Sequence, residues 1–463
     1  MSVRKIPLLL LSTAVIALSL PSCKQKTESS GEPEKVTISV GIWPSGDDVA
    51  TAALWDDYNR IMQERYPYIT LEPRPVTYSF DTFAPLAASG SLPTIFQTHF
   101  SEPQRLIANR FVADITGQAR KYGYLEGQRQ EILAIAQRDG RQYGLARDAY
   151  ALGLYMNLNL FRKAGLMDEE GLPLYPKTFD EFVATARVIR ERTGKAGFMI
   201  PTRDGVGGWH FTNIAWAFGA ELQQRDQDSG QWISGLDSDG AIHALSFIRS
   251  LKWEQGVLPD EYFLGWGDWI RQFAIDEVAM VFAAPDSLRN LMSYGMDKDA
   301  LAAAPIPAGP GGRSMLMGGT MYMFAANATE AQLDACFKLL EVIGFTPDPG
   351  DDMQRAVRSE LDTQQAAGQP IGPRTINVWT NEDRILQEQA IYDEYTNVDM
   401  RLYADYYQEQ ASLLRPEYSQ FSQDMYRLLD GCIRTILQYE DADPAQTLHA
   451  ASAEYQKFLD HAY

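Results

Sequence analysis

The chain is poor in the residues that most reactive chemistry requires. Its 463 residues include three cysteines and five histidines. The histidines (His99, His210, His243, His449, His461) show no HExxH spacing, and the cysteines (Cys23, Cys336, Cys432) have no metal-type spacing, so no metal is expected. No GxSxG elbow occurs. The glycine-rich run 309–312 is followed by Arg313 rather than by Lys and Ser or Thr, so it is no phosphate-binding P-loop. No cofactor and no catalysis are expected. Cations are also in deficit, with 41 Lys and Arg against 61 Asp and Glu and a formal net charge of −20. Nucleic acid is therefore not an expected partner, because phosphate binding needs clustered Lys and Arg. After residue 35 no apolar run is long enough to cross a hydrocarbon core of ~30 Å.

What is present begins at the N-terminus. Arg4 and Lys5 precede an apolar run from Ile6 to Leu20, interrupted by Pro7 and too short for a permanent span, which reads as an export signal over residues 1–22. The run ends in Leu20-Pro21-Ser22-Cys23, which resembles the bacterial lipobox and implies an acylated Cys23 holding the protein to a membrane. From Lys24 to Lys35 there is no apolar residue, so 23–35 reads as a flexible tether. The length of the chain predicts two or three lobes rather than one core.

Periodicity then predicts an α/β chain. Val36 to Ile42 alternates as a strand, Gly46-Asp47-Asp48 supplies a turn and helix cap, and a helix follows with Leu54, Tyr58, Ile61 and Met62 on one face. Tyr66-Pro67 stops it before a second strand at Ile69–Glu72, and strand, helix, strand in this order implies a parallel sheet. Thr178 with Glu181, and Thr329 with Gln332, form capping boxes. Apolar runs at 151–156, 278–282 and 321–325 read as buried strands, and from Glu382 onward the chain is almost wholly helical. Cys336 and Cys432 lie on apolar helical stripes and read as buried free thiols.

Six segments in order resemble the family 1 extracellular solute-binding proteins, the group that includes the maltose-binding protein. They are Gly41-Ile42-Trp43-Pro44-Ser45-Gly46-Asp47-Asp48, Tyr66-Pro67-Tyr68-Ile69-Thr70-Leu71-Glu72, Ser89-Gly90-Ser91-Leu92-Pro93-Thr94-Ile95-Phe96, Gln142-Tyr143-Gly144-Leu145 with the stretch from Leu154 to Leu166, Ala304-Pro305-Ile306-Pro307-Ala308-Gly309-Pro310-Gly311-Gly312, and Gly318-Gly319-Thr320. Thr94 stands where the family has Asp, and Met156-Asn157-Leu158-Asn159 replaces Tyr-Asn-Lys-Asp. The resemblance implies a two-lobe periplasmic-binding-protein-like fold of type II with hinge strands. It places lobe one at 36–150 plus 304–327 and lobe two at 151–303 plus 328–463, the tail forming a helical extension on lobe two. It further implies a monomeric receptor for a small-molecule ligand, a mono- or oligosaccharide, that serves the permease subunits of an ABC importer from outside the cytoplasm.

A sugar site needs flat rings for its apolar faces and planar polar groups for its hydroxyls. At the family's loop positions the candidates are Trp43, Asp47, Tyr78, His99, Phe100 and Tyr150 from lobe one and the first crossing, and Trp209, His210, Trp266, Asp268, Trp269 and Asp286 from lobe two. Asp286 stands where the family carries Trp. Alternatives differ in class. The carboxylates and aromatics could instead cage a cationic amine. A surface glycoside hydrolase is the enzyme alternative, for which 61 carboxylates are no argument in themselves. An adhesion or sensor role on the same fold is the third.

Overall fold

A computed structural model describes residues 34–46, 49–372, 374 and 376–462. The expected export signal, Cys23, most of the tether and Asp47 lie outside the described residues. Two larger sheets, of six and four strands, organise the rest. In chain order their strands are β1 (Val36–Val40), β2 (Ile69–Pro73), β3 (Ile95–His99), β4 (Gly144–Ala151), β5 (Gly153–Asn157), β6 (Ala196–Phe198), β7 (Val278–Ala283), β8 (Leu301–Ala304), β9 (Met315–Phe324) and β10 (Leu414–Pro416). The helices that matter to the site and its supports are α1 (Val49–Arg65), α2 (Phe179–Thr193), α3 (Val206–Ala217), α4 (Trp266–Ala274), α5 (Glu330–Val342), α6 (Asp351–Ala366), α7 (Glu382–Tyr395), α8 (Ala404–Leu413), α9 (Ser422–Gln438) and α10 (Pro444–Leu459).

The first sheet runs β10-β9-β3-β1-β2, with β4 also on β9; the second runs β8-β5-β7-β6. β1 and β2 are parallel, Val36 opposite Ile69, and α1 connects them as the sequence pattern predicts. α1 buries Trp55, Tyr58, Ile61 and Met62, so its inward stripe includes Trp55 while Leu54 is half-buried at its edge. β9 runs antiparallel to β3 and β4 and parallel to β10, so the first sheet is mixed rather than parallel throughout. In the second sheet β5 is antiparallel to β7 and β8, while β7 and β6 are parallel.

Two segments of the chain pass between the sheets. β4 continues through Leu152 into β5, and the chain returns from β8 into β9. The Leu152 N–H donates to the Leu316 carbonyl at 2.9 Å, so the two crossings run side by side. Relative motion of two lobes can then be absorbed by a few dihedrals.

The helix ends follow their local chemistry. Thr178 Oγ1 accepts from the Glu181 N–H at 3.2 Å, and Gly194 closes α2 in the left-handed region at φ 73°. Thr329 and Gln332 cap α5 reciprocally at 3.2 and 3.0 Å. Cys336 and Cys432 are buried and free. Burial raises both thiols above their ordinary value, that of Cys432 to about 12.

The tail departs from the expectation that all of 328–463 lies on lobe two. α5 packs against β1 and α1, with Phe337 stacked on Phe324 at 5.5 Å, because its stripe of Leu333, Cys336, Phe337 and Leu340 matches the apolar face of the first sheet. α6 covers α1 and α5, and α7 joins it around Met353, Val357, Leu361 and Ile391. The chain then changes partners: α8 packs on β8, α9 on α3, and α10 on α9. The tail thus braces both sheets, and β10 adds a strand to the first of them.

Candidate ligand-binding site

In open α/β sheets ligands bind beyond the carboxyl ends of the strands. Trp43 follows β1, His99 ends β3 and Phe100 follows it. Five of the candidate residues form a continuous series of ring contacts. Tyr150 meets Trp209 edge-on at 6.3 Å, Trp209 lies over His210 at 5.4 Å, His210 meets Trp269 at 6.3 Å, and Trp269 meets Trp266 at 5.6 Å. The series begins on the first crossing strand and ends at the start of α4. A second pair, Tyr78 and His99, meets edge-on at 5.0 Å. Trp43 packs instead on Trp55 at 5.0 Å.

Several of these side chains are less available than their sequence context suggests. Gly265–Trp269 forms the cap and first turn of α4. There Asp268 accepts from the Gly265 N–H at 3.0 Å and pairs with Arg203 at 3.0 Å. Trp269 is buried behind it, because the amphipathic helix turns that ring inward. His210 is buried as well. Burial alone lowers its pKa to about 3, so the ring is neutral, and neither nitrogen has a hydrogen-bond partner among the described residues. Asp286 follows β7 in a short 3₁₀ turn, and its side chain lies outside the described residues.

The walls nearest the crossings are more open to a ligand. His99 is exposed at the end of β3. Phe100 is buried and lines a recess of about 170 Å³ together with Gln104, Ile135, Glu417, Ser419 and Gln420. Glu417 stands directly after β10. Its Oε1 accepts from Trp209 Nε1 at 2.9 Å, while its Oε2 is shielded from solvent and has no partner among the described residues. Burial pushes this carboxyl up to about 7, with the indole N–H pulling the other way. Nearby, Glu102 pairs with Arg105 at 2.5 Å, and Gln423 on α9 donates to Ser101 at 2.7 Å.

Glycines on β9 make this approach possible. A Cβ on Gly318 would lie 2.6 Å from the Tyr150 ring and 3.1 Å from Glu417 Oε1, and one on Gly319 would run into Phe100. Behind the site, Asp430 on α9 accepts from the Gly205 N–H at 2.7 Å and the Gly208 N–H at 2.8 Å, fixing the start of the helix that carries Trp209. Sequence reasoning missed Glu417 and Asp430. Glu417 carries no periodic signal. Asp430 does, since it is an acid on the buried face that also holds Tyr426, Leu429 and Ile433.

Two α/β halves joined by adjacent crossing strands, with rings and polar groups gathered where they meet, define a two-lobe binding protein. The chain belongs to the bacterial extracellular solute-binding protein family, whose model matches residues 44–343. Among curated relatives, a protein of Brucella abortus (strain 2308) named as a binding protein is 28% identical over 219 residues, 46% of this chain and 50% of that protein. The chain thus spans about half the length of the curated relatives it matches. Solved structures share the fold at greater coverage. The GacH receptor of Streptomyces glaucescens, solved unliganded and with acarbose, aligns at a TM-score of 0.65 and 18% identity over 93% of this chain and 100% of that one. Maltose-bound MalE3 of T. maritima aligns at 0.64 and 19% over 91% and 99%. UgpB of Mycobacterium tuberculosis, solved with glycerophosphocholine, aligns at 0.69 and 16% over 93% and 99%.

Proposed function

We propose that this chain captures a sugar or oligosaccharide outside the cytoplasm for an ABC importer, through closure of its two lobes and without altering the ligand. The observation that carries the reading is the placement of Trp209, Tyr150, Phe100 and Glu417 around one junction between the halves. Rings there supply apolar faces, and the carboxylate and amides supply hydroxyl partners. Acarbose in the GacH receptor and maltose in MalE3 support a carbohydrate on this fold. Acylation at Cys23 would keep a monomeric receptor at the membrane beside the permease subunits, with 23–35 as its tether. Among the described residues no helix is long and apolar enough to cross a membrane.

Closure is driven only by the difference in ligand affinity between closed and open forms. A thermal-shift screen of mono- and oligosaccharides tests the reading. A ligand at 100 times its Kd adds ~2.7 kcal/mol of stability, a shift readily seen. If neutral sugars of every size tested leave the melting curve unmoved, the carbohydrate assignment fails.

A second reading, a cationic amine, is favoured by the carboxylates Glu102, Glu417 and Asp424 near the same junction. Amine binding would weaken steeply with salt, whereas sugar binding would hardly change.

A further inference from the structure

A helix shut away from water ordinarily turns apolar side chains to all of its neighbours. α3 is buried at every position from Val206 to Ala217, yet one of its faces ends in polar atoms. Trp209, Asn213 and Trp216 are spaced i, i+4, i+7 and so share that face. Each makes one hydrogen bond to the edge of the first sheet. Trp209 Nε1 donates to Glu417 at 2.9 Å, Asn213 Oδ1 accepts from the Leu316 N–H at 3.0 Å, and Trp216 Nε1 donates to the Tyr418 hydroxyl at 2.8 Å. The helix itself belongs to the other half, where His210 meets Phe282 of β7 at 6.4 Å and α9 packs along it.

The three partners lie on β9 or directly after β10, two strands that pair through Leu316 and Arg415. The contact continues just past the helix. The Tyr418 hydroxyl also accepts from the Leu222 N–H at 2.9 Å, while the Arg415 guanidinium lies over the Trp216 ring at 4.2 Å and pairs with Glu221. Leu316 is the residue where these contacts meet the crossings, since its carbonyl accepts the Leu152 N–H at 2.9 Å while its own N–H goes to Asn213. The bonds from Trp209 to Trp216 span seven residues of one helix, about 10 Å. A rotation that lifts a rigid helix off β10 therefore opens them together. Water can satisfy the freed indole, amide and hydroxyl groups once the halves part, which keeps the release reversible.

We propose that this face of α3 is a latch between the halves, its bonds to Glu417, Leu316 and Tyr418 forming and releasing as one unit as the lobes close and part. Asn213 and Tyr418 are then positioning residues that act on closure rather than on the ligand. The latch requires no particular ligand chemistry and so goes beyond the carbohydrate reading.

Hydrogen exchange resolved to single amides in the unliganded protein tests it. Tyr418→Phe deletes the acceptor of Trp216 and Leu222 but leaves Asn213 and Leu316 in place. It should speed exchange of the Leu316 N–H roughly 3- to 10-fold, while the N–H of Ile38, buried in the first sheet, keeps its wild-type rate. Asn213→Ala should do the converse and speed the Leu222 N–H by a similar factor. Acceleration confined to the amide whose own acceptor was removed overturns the latch, because the contacts then open separately. Equal acceleration at Ile38 overturns it as well, because the loss is then one of global stability. Maltose, maltotriose, xylose and ribitol separate the latch from the carbohydrate reading. A sugar that binds wild type should slow Leu222 and Leu316 together, and one that binds while leaving both rates unchanged overturns the role in closure. If none of the four binds, that counts against the carbohydrate reading, and the exchange rates of the unliganded variants still decide the latch.

Discussion

Asp430 offers a test of how the site is held. Its carboxylate accepts the Gly205 and Gly208 N–H groups at 2.7 and 2.8 Å, and both donors sit at the start of α3. Asp430→Ala leaves two buried donors without acceptors, at about 1–3 kcal/mol each, partly offset because a buried carboxylate is no longer desolvated. The net expected loss is about 2–4 kcal/mol. The pH dependence is the sharper readout. Burial raises this carboxyl to about 7, against the lowering effect of the Gly208, Gly205 and Gly207 N–H groups. Its unfolded value is about 3.9, so between about pH 4 and 7 the folded state holds more protons than the unfolded one. Stability from this group is therefore fully present below pH 4 and declines as pH rises through 7, by at most about 1.4 kcal/mol per unit. Asp430→Asn removes the titration. Urea unfolding followed by tryptophan fluorescence at pH 5, 6, 7 and 8 measures the difference. The wild type should lose stability relative to the Asn variant as pH rises. Parallel profiles over that range, or a wild-type advantage that grows with pH, would refute the account of Asp430 as a desolvated carboxyl.

Two further substitutions probe the supports of the two halves. Glu388 on α7 lies between Arg374 and Arg384, each at 2.5 Å, and although burial opposes ionisation the two guanidinium groups hold its pKa below the ordinary value. Glu388→Ala leaves the buried Arg384 and the half-buried Arg374 without their carboxylate and should cost about 3–5 kcal/mol in urea unfolding at pH 7, with the gap shrinking as acid protonates the wild-type carboxylate. Gly208→Ala drives a Cβ into the Tyr426 backbone where α3 crosses α9, and should cost about 1–3 kcal/mol together with a weaker ligand affinity, read by thermal shift with and without bound sugar.

The sequence carried more of the fold than of the site, for a physical reason. Strand alternation in β1, the stripe of α5 and the caps at Thr178 and Thr329 are local patterns, set by residues within one or two turns of each other. Position among the halves is not local. The stripe of α5 shows that the helix is buried, but not which sheet buries it, and so the assignment of 328–463 to one lobe missed α5, α6, α7 and β10. Trp266, Asp268 and Trp269 illustrate the same limit. Glycine beside tryptophan has the composition of a binding loop, yet the i, i+3 and i, i+4 spacing of Trp266, Trp269, Ile270 and Phe273 is that of a helix stripe, and packing followed the stripe. Glu417 is a long-range result altogether. Nothing near it in the chain distinguishes it from other acids until β10 pairs with β9 and brings it beneath Trp209.

That pairing also explains why the site and the crossing strands coincide. β9 places Thr320 opposite His99, Gly318 opposite Tyr150, and Met317 opposite Pro416, the residue before Glu417. Side chains from β3, the first crossing and the tail are thus set in register by one strand, and a slip of one residue would turn each to the other face. Trp209 is the exception, because it arrives on a helix packed chiefly on α9, with a smaller contact to β9 in which Asn213 accepts from the Leu316 N–H at 3.0 Å. Moving the halves relative to each other at Leu152 and Leu316 would therefore act on the Trp209–Glu417 hydrogen bond more directly than on any contact within β9. To shift an open-to-closed ratio from 1:99 to 99:1, a ligand must favour the closed form by about 5.5 kcal/mol. Two or three charge-assisted hydrogen bonds, at about 1.5–3 kcal/mol each, can supply that only if they form in one state and not in the other. Glu417 bears on the condition, since one of its oxygens reports the position of α3 through the Trp209 indole N–H.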